Sequence, residues 1–395
     1  MDRSELNCFA QTGLTRRKFS FAATGLLGLA GSGFGSSALL AAASRTANPG
    51  FLFDTGPEGR FDDAKIGGPS VLWNEEKQQW WMYYYGRSKR FPEDIAPSFG
   101  MGSIGLATSD DGINWQRYEG HLEEGAIFIP SGVPGTFDEI MVGTGEVLRH
   151  GDQWVMAYYG GDSTIPMEID GKEVWPSYQG RGYRLRPGIA TSNDGIHWER
   201  VKGHAPMGAA VDIGNAIYAA FPSLIHDGER FLMQYSAVPV GTAYWESRVA
   251  ASTDLVNWKD LGTIHWEDGV KIWERRGMVS RQIVPNFLTD DGKWLMIYGG
   301  LDGRYSSMLR VMGGAVSDDA ISWRHITDEP FFYPSALDRW DGAGVSIANL
   351  VQAGDELRMY YYGFADPLVS GKPTRGIGLA VSTDGTLEGM QRFGE

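Results

Sequence analysis

The chain has 395 residues, a formal net charge of −14 and 12% aromatic residues, with 54 Gly, 14 Trp and 17 Tyr. This acidity argues against nucleic acid or an anionic membrane as a partner, because both bind basic surfaces. The length is compatible with one large all-β body, and the single cysteine, Cys8, excludes an intrachain disulfide.

Residues 1–43 have the features of an export signal rather than of a folded domain. Arg16 and Arg17 precede a Gly-rich apolar run from 21 to 40, which ends in three alanines. This pattern is typical of a twin-arginine signal peptide, and the glycines disfavour the alternative of a membrane anchor. We therefore expect the twin-arginine translocation machinery as a partner, a mature domain of residues 44–395, and a periplasmic or secreted protein with no membrane contact after cleavage.

A seven-residue sequence, Ser-Asp-Asp-Gly-Ile-Asn-Trp at 109–115, recurs along the rest of the chain. It returns as a close copy at 192–198, and looser copies begin at Ser252, Ser317 and Ser382. Each copy follows a strand-like segment with alternating bulky residues, such as Trp-Val-Met-Ala-Tyr at 154–158. Strands joined by Asp-Gly turns in a repeated unit predict a repeat architecture. We predict an all-β fold, a five-bladed β-propeller with four antiparallel strands per blade.

The alternating strand direction assigns the connections to two faces of such a propeller. The turn face carries the Asp-Gly turns and the seven-residue motif, and turn chemistry explains every residue type in that motif. The loop face carries the segments that lead into the first strand and out of the second strand of each blade. These are long and irregular, as binding loops on a rigid scaffold usually are. We therefore expect the functional site in a funnel on the loop face.

Positions that break the repeat are the best candidates for chemistry. At the start of the first strand, the five copies are Pro69-Ser70, Gly145-Glu146, Pro222-Ser223, Pro285-Asn286 and Ala348-Asn349. The second blade alone has a carboxylate there, and further acidic residues lie in the segments before this strand. Hydrolysis of a glycosidic bond needs one carboxyl group to protonate the leaving oxygen and one carboxylate to activate water or attack carbon. The predicted catalytic residues are Asp62, Asp63, Asp138, Glu139 and Glu146.

Each of these residues has a predicted role. Glu146 is the acid, Asp62 or Asp63 the base or nucleophile, and Asp138 or Glu139 the group that raises the pKa of the acid. The predicted substrate-binding residues are Asp212, Glu274, Arg275, Arg281, Asp341, Arg87, Asp162 and Trp175. In the alternative interpretation these charges pair with one another and only close the funnel. Repeated packing is also an alternative for the aromatic-Asp pairs at 61–62, 137–138 and 340–341.

The sequence contains no recognisable metal or phosphate motif. Its seven His are scattered, with no His-x-x-x-His pair, and no Gly-rich phosphate loop opens a helix. We therefore expect no metal site and no cofactor. A structural cation in the central channel, held by carbonyl groups or water, is the exception that a sequence cannot exclude.

The repeated unit resembles that of the five-bladed propeller glycoside hydrolases of families 32, 43, 62, 68, 117 and 130. The likeness rests on the Trp-x-Met-x-Tyr strands and on residues 104–115, and it covers the chain from about Phe51 to the C-terminus. It implies the fold, a glycosidase activity and a carbohydrate substrate. Families 32 and 43 place a base Asp before Pro in the first inner strand and an acid Glu in the third blade. The matching places here are Gly68-Pro69 and Ala220-Phe221-Pro222, so the candidate residues come from the broken repeat instead.

Two other functions stay open on the sequence. A non-catalytic carbohydrate-binding propeller would have similar pockets between all its blades, whereas an enzyme would have one asymmetric funnel. A polysaccharide lyase would need a His or Tyr base above the axis. The unequal loops favour an exported glycoside hydrolase, and the sequence is silent on its sugar specificity.

Overall fold

The structure, a computed structural model, describes residues 48–96, 100–164, 168–169, 172–173, 181–214, 216–242, 244–288, 292–301, 310–365 and 375–395. For residues 168–169, 172–173 and 285–288 it describes the backbone only. The predicted signal peptide and Trp175 lie outside the described residues.

The described strands form five four-stranded blades, preceded by β1 (Phe51–Phe53). Blade one contains β2 (Lys65–Asn74), β3 (Gln79–Arg87), β4 (Ser103–Ser109) and β5 (Gln116–Arg117). Blade two contains β6 (Met141–His150), β7 (Gln153–Gly161), β10 (Leu185–Ser192) and β11 (Glu199–Val201), with a small hairpin of β8 (Glu168–Ile169) and β9 (Lys172–Glu173) between them. Blade three contains β12 (Ala216–His226), β13 (Phe231–Pro239), β14 (Glu246–Ser252) and β15 (Lys259–Thr263).

Blade four contains β17 (Met278–Leu288), β18 (Trp294–Leu301), β19 (Arg310–Ser317) and β20 (Ser322–His325), with β16 (His265–Trp266) on its outer edge. Blade five contains β21 (Gly344–Ala353), β22 (Glu356–Phe364), β23 (Arg375–Ser382) and β24 (Gln391–Arg392). The predicted five-bladed β-propeller is confirmed. Both β1 and β24 pair with β23, so the two ends of the described chain together cover the outer edge of blade five.

The seven-residue motif forms the predicted turn. Ser109 Oγ donates a hydrogen bond to Asp111 Oδ1, which also accepts the N–H groups of Ile113 and Asn114 at 2.8 and 2.7 Å. The residue after the Asp adopts a positive φ in every blade: Gly112 (+72°), Gly195 (+74°), Leu255 (+65°), Ala320 (+58°) and Gly385 (+74°). Neighbouring blades then attach to the turn, since Tyr360 of blade five donates its hydroxyl to the Gly112 carbonyl at 2.7 Å. The motif therefore serves the scaffold.

The pairing of inner and second strands fixes the equivalent positions around the ring. A methionine of each second strand faces an inner-strand residue: Val71–Met82, Val147–Met156, Leu224–Met233, Ile283–Met296 and Leu350–Met359. The residues just before these partners are Ser70, Glu146, Ser223, Gln282 and Asn349. In blade four the equivalent residue is Gln282, so the predicted Asn286 is wrong. Pro285-Asn286 imitates the Pro-Ser pairs of blades one and three, whereas β17 already begins at Met278.

A β-bulge interrupts the inner strand near this position in blades one, two, three and five. Three bulge residues have a positive φ: Gly68 at +61°, Phe221 at +55° and Ile347 at +45°. Bulges change the direction of side chains and are frequent next to active sites. A bulky residue in this region of backbone space is strained by about 1–3 kcal/mol, which is most often found at functional sites. The strained residues Phe221 and Ile347 therefore make the inner strands at the propeller axis a candidate site.

The helical segments of the described residues are three short 3-10 turns, Glu123–Gly125, Pro206–Gly208 and Ile272–Glu274. None of them has the length and apolar character needed to cross a membrane.

Candidate functional site at the propeller axis

A ring of side chains links the inner strands around the axis. Each of four blades accepts the backbone N–H of the next blade through a side-chain oxygen. These bonds join Val147 to Ser70 (3.0 Å), Ile283 to Ser223 (2.9 Å), Leu350 to Gln282 (2.6 Å) and Val71 to Asn349 (2.9 Å). Because the amide oxygens of Gln282 and Asn349 are used in this way, their NH₂ groups are left to donate elsewhere.

Glu146 occupies the place of blade two in this ring. Its Oε1 accepts hydrogen bonds from Gln282 Nε2 at 3.4 Å and Asn349 Nδ2 at 3.3 Å, and its Oε2 contacts Ser223 Oγ at 3.5 Å. These bonds are longer than the 2.7–2.9 Å that is usual for hydrogen bonds between a charged donor and an ionised carboxylate. Glu146 is 4% exposed.

Burial raises the pKa of Glu146 to about 8, against the opposite effect of the three hydrogen bonds. Desolvation therefore supplies the upward shift that was predicted to come from Asp138 or Glu139. Because the raised pKa lies above neutrality, the group carries its proton at pH 7.

A cavity of about 20 Å³ lies beside Glu146, which is room for about one water molecule. Its lining residues are Pro69, Thr144, Gly145, Glu146, Phe221, Pro222, Ser280, Arg281, Gln282, Ile347, Ala348 and Asn349. Within the described chain, Glu146 is the one carboxyl group of this lining. The other four predicted catalytic carboxylates are not part of it, so the expectation of paired carboxylates in the axial hollow is not met there.

Asp62, Asp138 and Asp341 instead belong to a repeated contact inside their own blades. Each accepts a tyrosine hydroxyl of the second strand and an arginine Nε of the outer strand. The pairs are Tyr84 (2.9 Å) and Arg117 (2.7 Å) for Asp62, Tyr158 (2.9 Å) and Arg200 (2.6 Å) for Asp138, and Tyr361 (3.0 Å) and Arg392 (2.9 Å) for Asp341. We call each set an Asp-Tyr-Arg triad.

Aromatic packing completes each triad. The residue before each Asp packs on the triad tyrosine with ring centroids 5.6 Å apart, as in Phe61–Tyr84, Phe137–Tyr158 and Trp340–Tyr361. The three carboxylates are at most 1% exposed. A contact that is repeated in three blades and made within each blade serves packing, which agrees with the alternative interpretation of the aromatic-Asp pairs.

Blade four has a titratable carboxylate–imidazole contact in the place of the triad. Glu274 replaces the Asp, and His325 replaces the arginine. His325 Nε2 lies 2.9 Å from Glu274 Oε1, and His325 Nδ1 lies 2.7 Å from Asp268 Oδ1. Burial alone would lower the pKa of His325, but the carboxylates on its two nitrogens raise it above the ordinary value, which favours the protonated imidazole. Trp266 stacks on the ring at 4.0 Å. Glu274 is therefore used by the scaffold, and its predicted neighbour Arg275 is exposed.

Asp63 and Glu139 lie at the loop face outside the triads. Asp63 accepts the N–H groups of Gly59 at 2.9 Å and Lys89 at 2.7 Å. Desolvation alone would raise the pKa of Asp63, but these two bonds and the charges of Lys89 and Arg90 lower it below its ordinary value. Glu139 is half-buried and accepts the hydroxyl of Ser163 at 2.9 Å.

Three other predicted binding residues lie at different depths. Asp162 is buried, accepts the Thr164 N–H at 2.7 Å and lies 3.9 Å from the Arg184 Nε. Asp212 is exposed and accepts the Gly214 N–H. Arg87 is buried and donates to the carbonyls of Met101 and Ile95 at 2.9 and 2.8 Å.

Arg281 is the second break in the axial repeat, since its counterparts are Pro69, Gly145, Pro222 and Ala348. Its side chain is buried between blades three and four, where Nη2 donates to the hydroxyls of Ser236 and Ser247. Burial lowers the pKa of Arg281 to about 9. Its Nε and Nη1 have no hydrogen-bond partner among the described residues.

The two places at which the resemblance implies a base and an acid, beginning at Gly68 and Ala220, are closed by packing. A side chain at Gly68 would meet the ring of Tyr85 at 2.5 Å, so the tyrosine fills the space that a base would need. Ala220 is fully buried. Neither Gly68 nor Ala220 carries a carboxyl group, so neither supplies a base or an acid.

Sequence reasoning missed the outer-strand partners of the triads. Arg117, Arg200 and His325 each stand two residues after the repeated tryptophan of their blade. That fixed spacing from the tryptophan could have identified these residues from the sequence. The described residues contain no group of three or more His, Cys, Asp or Glu arranged to bind a metal, and in the axial ring the amide groups present donors to Glu146.

Known proteins share this fold at low sequence identity. The matches with the solved structures include an N-acetylgalactosamine deacetylase from F. plautii in complex with blood group B trisaccharide, which has a TM-score of 0.57 and 14% identity over 85% of this chain and 94% of that chain. A glycosyl hydrolase from Bacteroides ovatus has a TM-score of 0.55 and 17% identity over 84% and 93%. A thermostable family-43 glycoside hydrolase has a TM-score of 0.55 and 16% identity over 84% and 94%.

The chain has the fold of these sugar-acting propellers. Identities of 14–17% show the fold alone, and the first of these proteins is a deacetylase, so the fold does not decide the reaction. No family model matches the chain. Two uncharacterised Mycobacterium tuberculosis proteins are 31% identical over 109 residues, which is 27% of this chain and 34% of theirs. The match thus spans about a third of the length of these curated relatives.

Proposed function

We propose that this protein is an exported glycoside hydrolase whose proton donor is Glu146. The observation that carries the proposal is a buried carboxyl group, with a pKa raised to about 8, at the inner-strand position where the repeat is broken. A carboxyl group that keeps its proton at neutral pH is what protonation of a glycosidic oxygen requires. The strained residues Phe221 and Ile347, which share the cavity lining, support a functional role for this place.

The reaction needs a second carboxylate. Glu146 gives its proton to the leaving oxygen as the bond to the sugar carbon breaks, while water attacks that carbon and gives a proton to the base. Asp62 and Asp138 are already paired with arginine and hydrogen-bonded by tyrosine inside the triads, so Asp63 and Glu139 are the proposed candidates for the base. The lowered pKa of Asp63 keeps it ionised, as this role requires.

Export rests on the paired arginines and the apolar run of residues 1–43. The proposed substrate is a carbohydrate bound at the loop face. Asp162 and Arg87, which are buried at that face, and Trp175 are the proposed contacts that hold it.

The test is the substitution Glu146→Gln, assayed on a panel of oligosaccharides. We expect the turnover number to fall about 10²–10⁴-fold, because the proton donor is lost. In wild-type protein, kcat/KM should fall as the pH rises above about 8, where Glu146 loses its proton, and this limb should be absent from the residual activity of the variant. Glu388→Gln, at an exposed position on the turn face, is the matched control. Unchanged turnover in Glu146→Gln would remove Glu146 from the mechanism.

A carbohydrate-binding propeller without hydrolysis is the second candidate. The observation that favours it is the single carboxyl group of the axial lining in the described part of the chain, which is one fewer than hydrolysis uses. Binding of an oligosaccharide without release of product, in wild-type protein across the pH range, would select this candidate.

A further inference from the structure

Four basic residues stand at the loop-face ends of strands in blades four, five and one. Lys65 begins β2, Arg87 ends β3, Arg310 begins β19 and Arg375 begins β23. Lys65 and Arg87 face each other directly in the pairing of β2 with β3. We call this set the basic sector. The position of each residue at a strand end directs it toward the same face of the propeller.

Aromatic rings connect Arg310 and Arg375 of the basic sector with Lys65 and Arg87. Phe364 faces Arg375 in the pairing of β22 with β23, and the Arg310 guanidinium lies 5.6 Å from the centre of the Phe364 ring. Tyr362 stacks on Phe364 with ring centroids 5.8 Å apart, and both rings are half-buried. A Cβ atom on Gly67 would lie within 3 Å of both Tyr362 and Tyr85, so these tyrosines bring blade five against blade one.

The charges within the sector act on one another. Burial, followed by the charges of Arg87 and Arg375, lowers the pKa of Lys65 to about 8. The described partners of the Arg87 guanidinium are two carbonyls and the sulfur of Met141, all of them uncharged. Repulsion between like charges is unfavourable, and an anion bound in the sector would offset it.

We propose that the basic sector binds an acidic substituent of the glycan, a carboxylate or a sulfate ester. This inference rests on the proposed function, and it narrows the substrate to an anionic carbohydrate. Arginine binds carboxylate and sulfate-like oxyanions through two parallel hydrogen bonds. The half-buried rings of Tyr362 and Phe364 supply an apolar surface for the face of a sugar ring next to that group.

Binding to charged and neutral forms of one backbone tests this directly. The carboxylate probe is an oligogalacturonate, with its fully methyl-esterified form as the neutral counterpart. The sulfate probe is a carrageenan oligosaccharide, with its desulfated form as the counterpart. By isothermal titration calorimetry we expect at least one anionic form to bind about tenfold or more tightly than its neutral counterpart. In about 0.5 M NaCl this preference should shrink, because salt screens the charges.

Two variants locate the effect. Arg375→Met should remove the preference for the anionic form, whereas Arg324→Met, at an exposed position on the outer strand of blade four, should keep it. Equal affinity for charged and neutral forms in wild-type protein overturns the inference, and so does a preference that survives in Arg375→Met. Absence of binding to both anionic probes also overturns it.

The outcome is separable from that of the proposed function. Glu146→Gln should retain the preference for the anionic form, since binding does not use the proton donor. A glycosidase that cleaves neutral glycans with equal affinity for both forms would leave the proposed function standing while this inference fails.

Discussion

Asp138 and Glu146 belong to the same blade and are nearly equally buried, at 1% and 4% exposure, yet they are opposite kinds of site. Asp138 has an arginine at 2.6 Å and a tyrosine hydroxyl at 2.9 Å. Glu146 has three neutral partners at 3.3–3.5 Å and no ion pair in the described structure. Asp138 is buried together with a cation, whereas Glu146 is buried without one, and this burial raises its pKa to about 8 although its three hydrogen bonds act in the opposite direction.

The largest expected effect on stability comes from removing the cation of a triad. Arg200→Met leaves Asp138 buried without its charge partner, which typically costs about 3–5 kcal/mol. Chemical denaturation measures the loss of unfolding free energy. Arg149→Met breaks a more exposed ion pair with Glu76 and should cost less than about 1 kcal/mol. A cost for Arg200→Met no larger than this control would mean that the triad does not hold the blade.

Glu146→Gln should remove a pH dependence of the unfolding free energy that the wild type has. The pKa of Glu146 is raised from 4.5 to about 8 in the folded protein, so its contribution to stability is fully present below pH 4.5. It is lost as the pH rises toward 8, because the unfolded chain ionises first. The wild type should therefore lose up to a few kcal/mol relative to the variant over this window, at about 1.4 kcal/mol per unit. A pH-independent difference would show that Glu146 is ionised in the folded state.

In blade four, His325 stands in the place of the triad arginine, and its positive charge can be lost as the pH rises. Although burial alone would lower the pKa of His325, Glu274 and Asp268 raise it above 6.5. Its contribution should be fully present below pH 6.5, where His325→Gln costs about 1.5–3 kcal/mol. The difference should decline as the pH rises through the folded pKa.

Arg392→Gln in blade five is the matched control for His325→Gln, since a guanidinium stays charged throughout. Thermal unfolding at several pH values measures both variants. If the stability of the two variants changed with pH in the same way, the presence of histidine instead of arginine in blade four would not explain the effect.

The repeat in the sequence was sufficient to predict the fold. Asp-Gly turns and alternating strands depend on local backbone geometry, so residues 109–115 and their copies revealed five units without any long-range information. The same repeat marked Glu146 as the inner-strand position that differs from its counterparts. It failed in blade four, because Pro285-Asn286 matches the local pattern whereas register depends on the partner Met296 across the sheet.

By itself, then, the sequence determined the local chemistry, the number of blades and the one acidic break at the axis. Only the tertiary structure decided which carboxylates are neutralised. The arginines of the triads lie 55, 62 and 51 residues from Asp62, Asp138 and Asp341. It also decided the state of Glu146, because a carboxyl group titrates according to its burial and its partners, which the folded chain brings together from four blades.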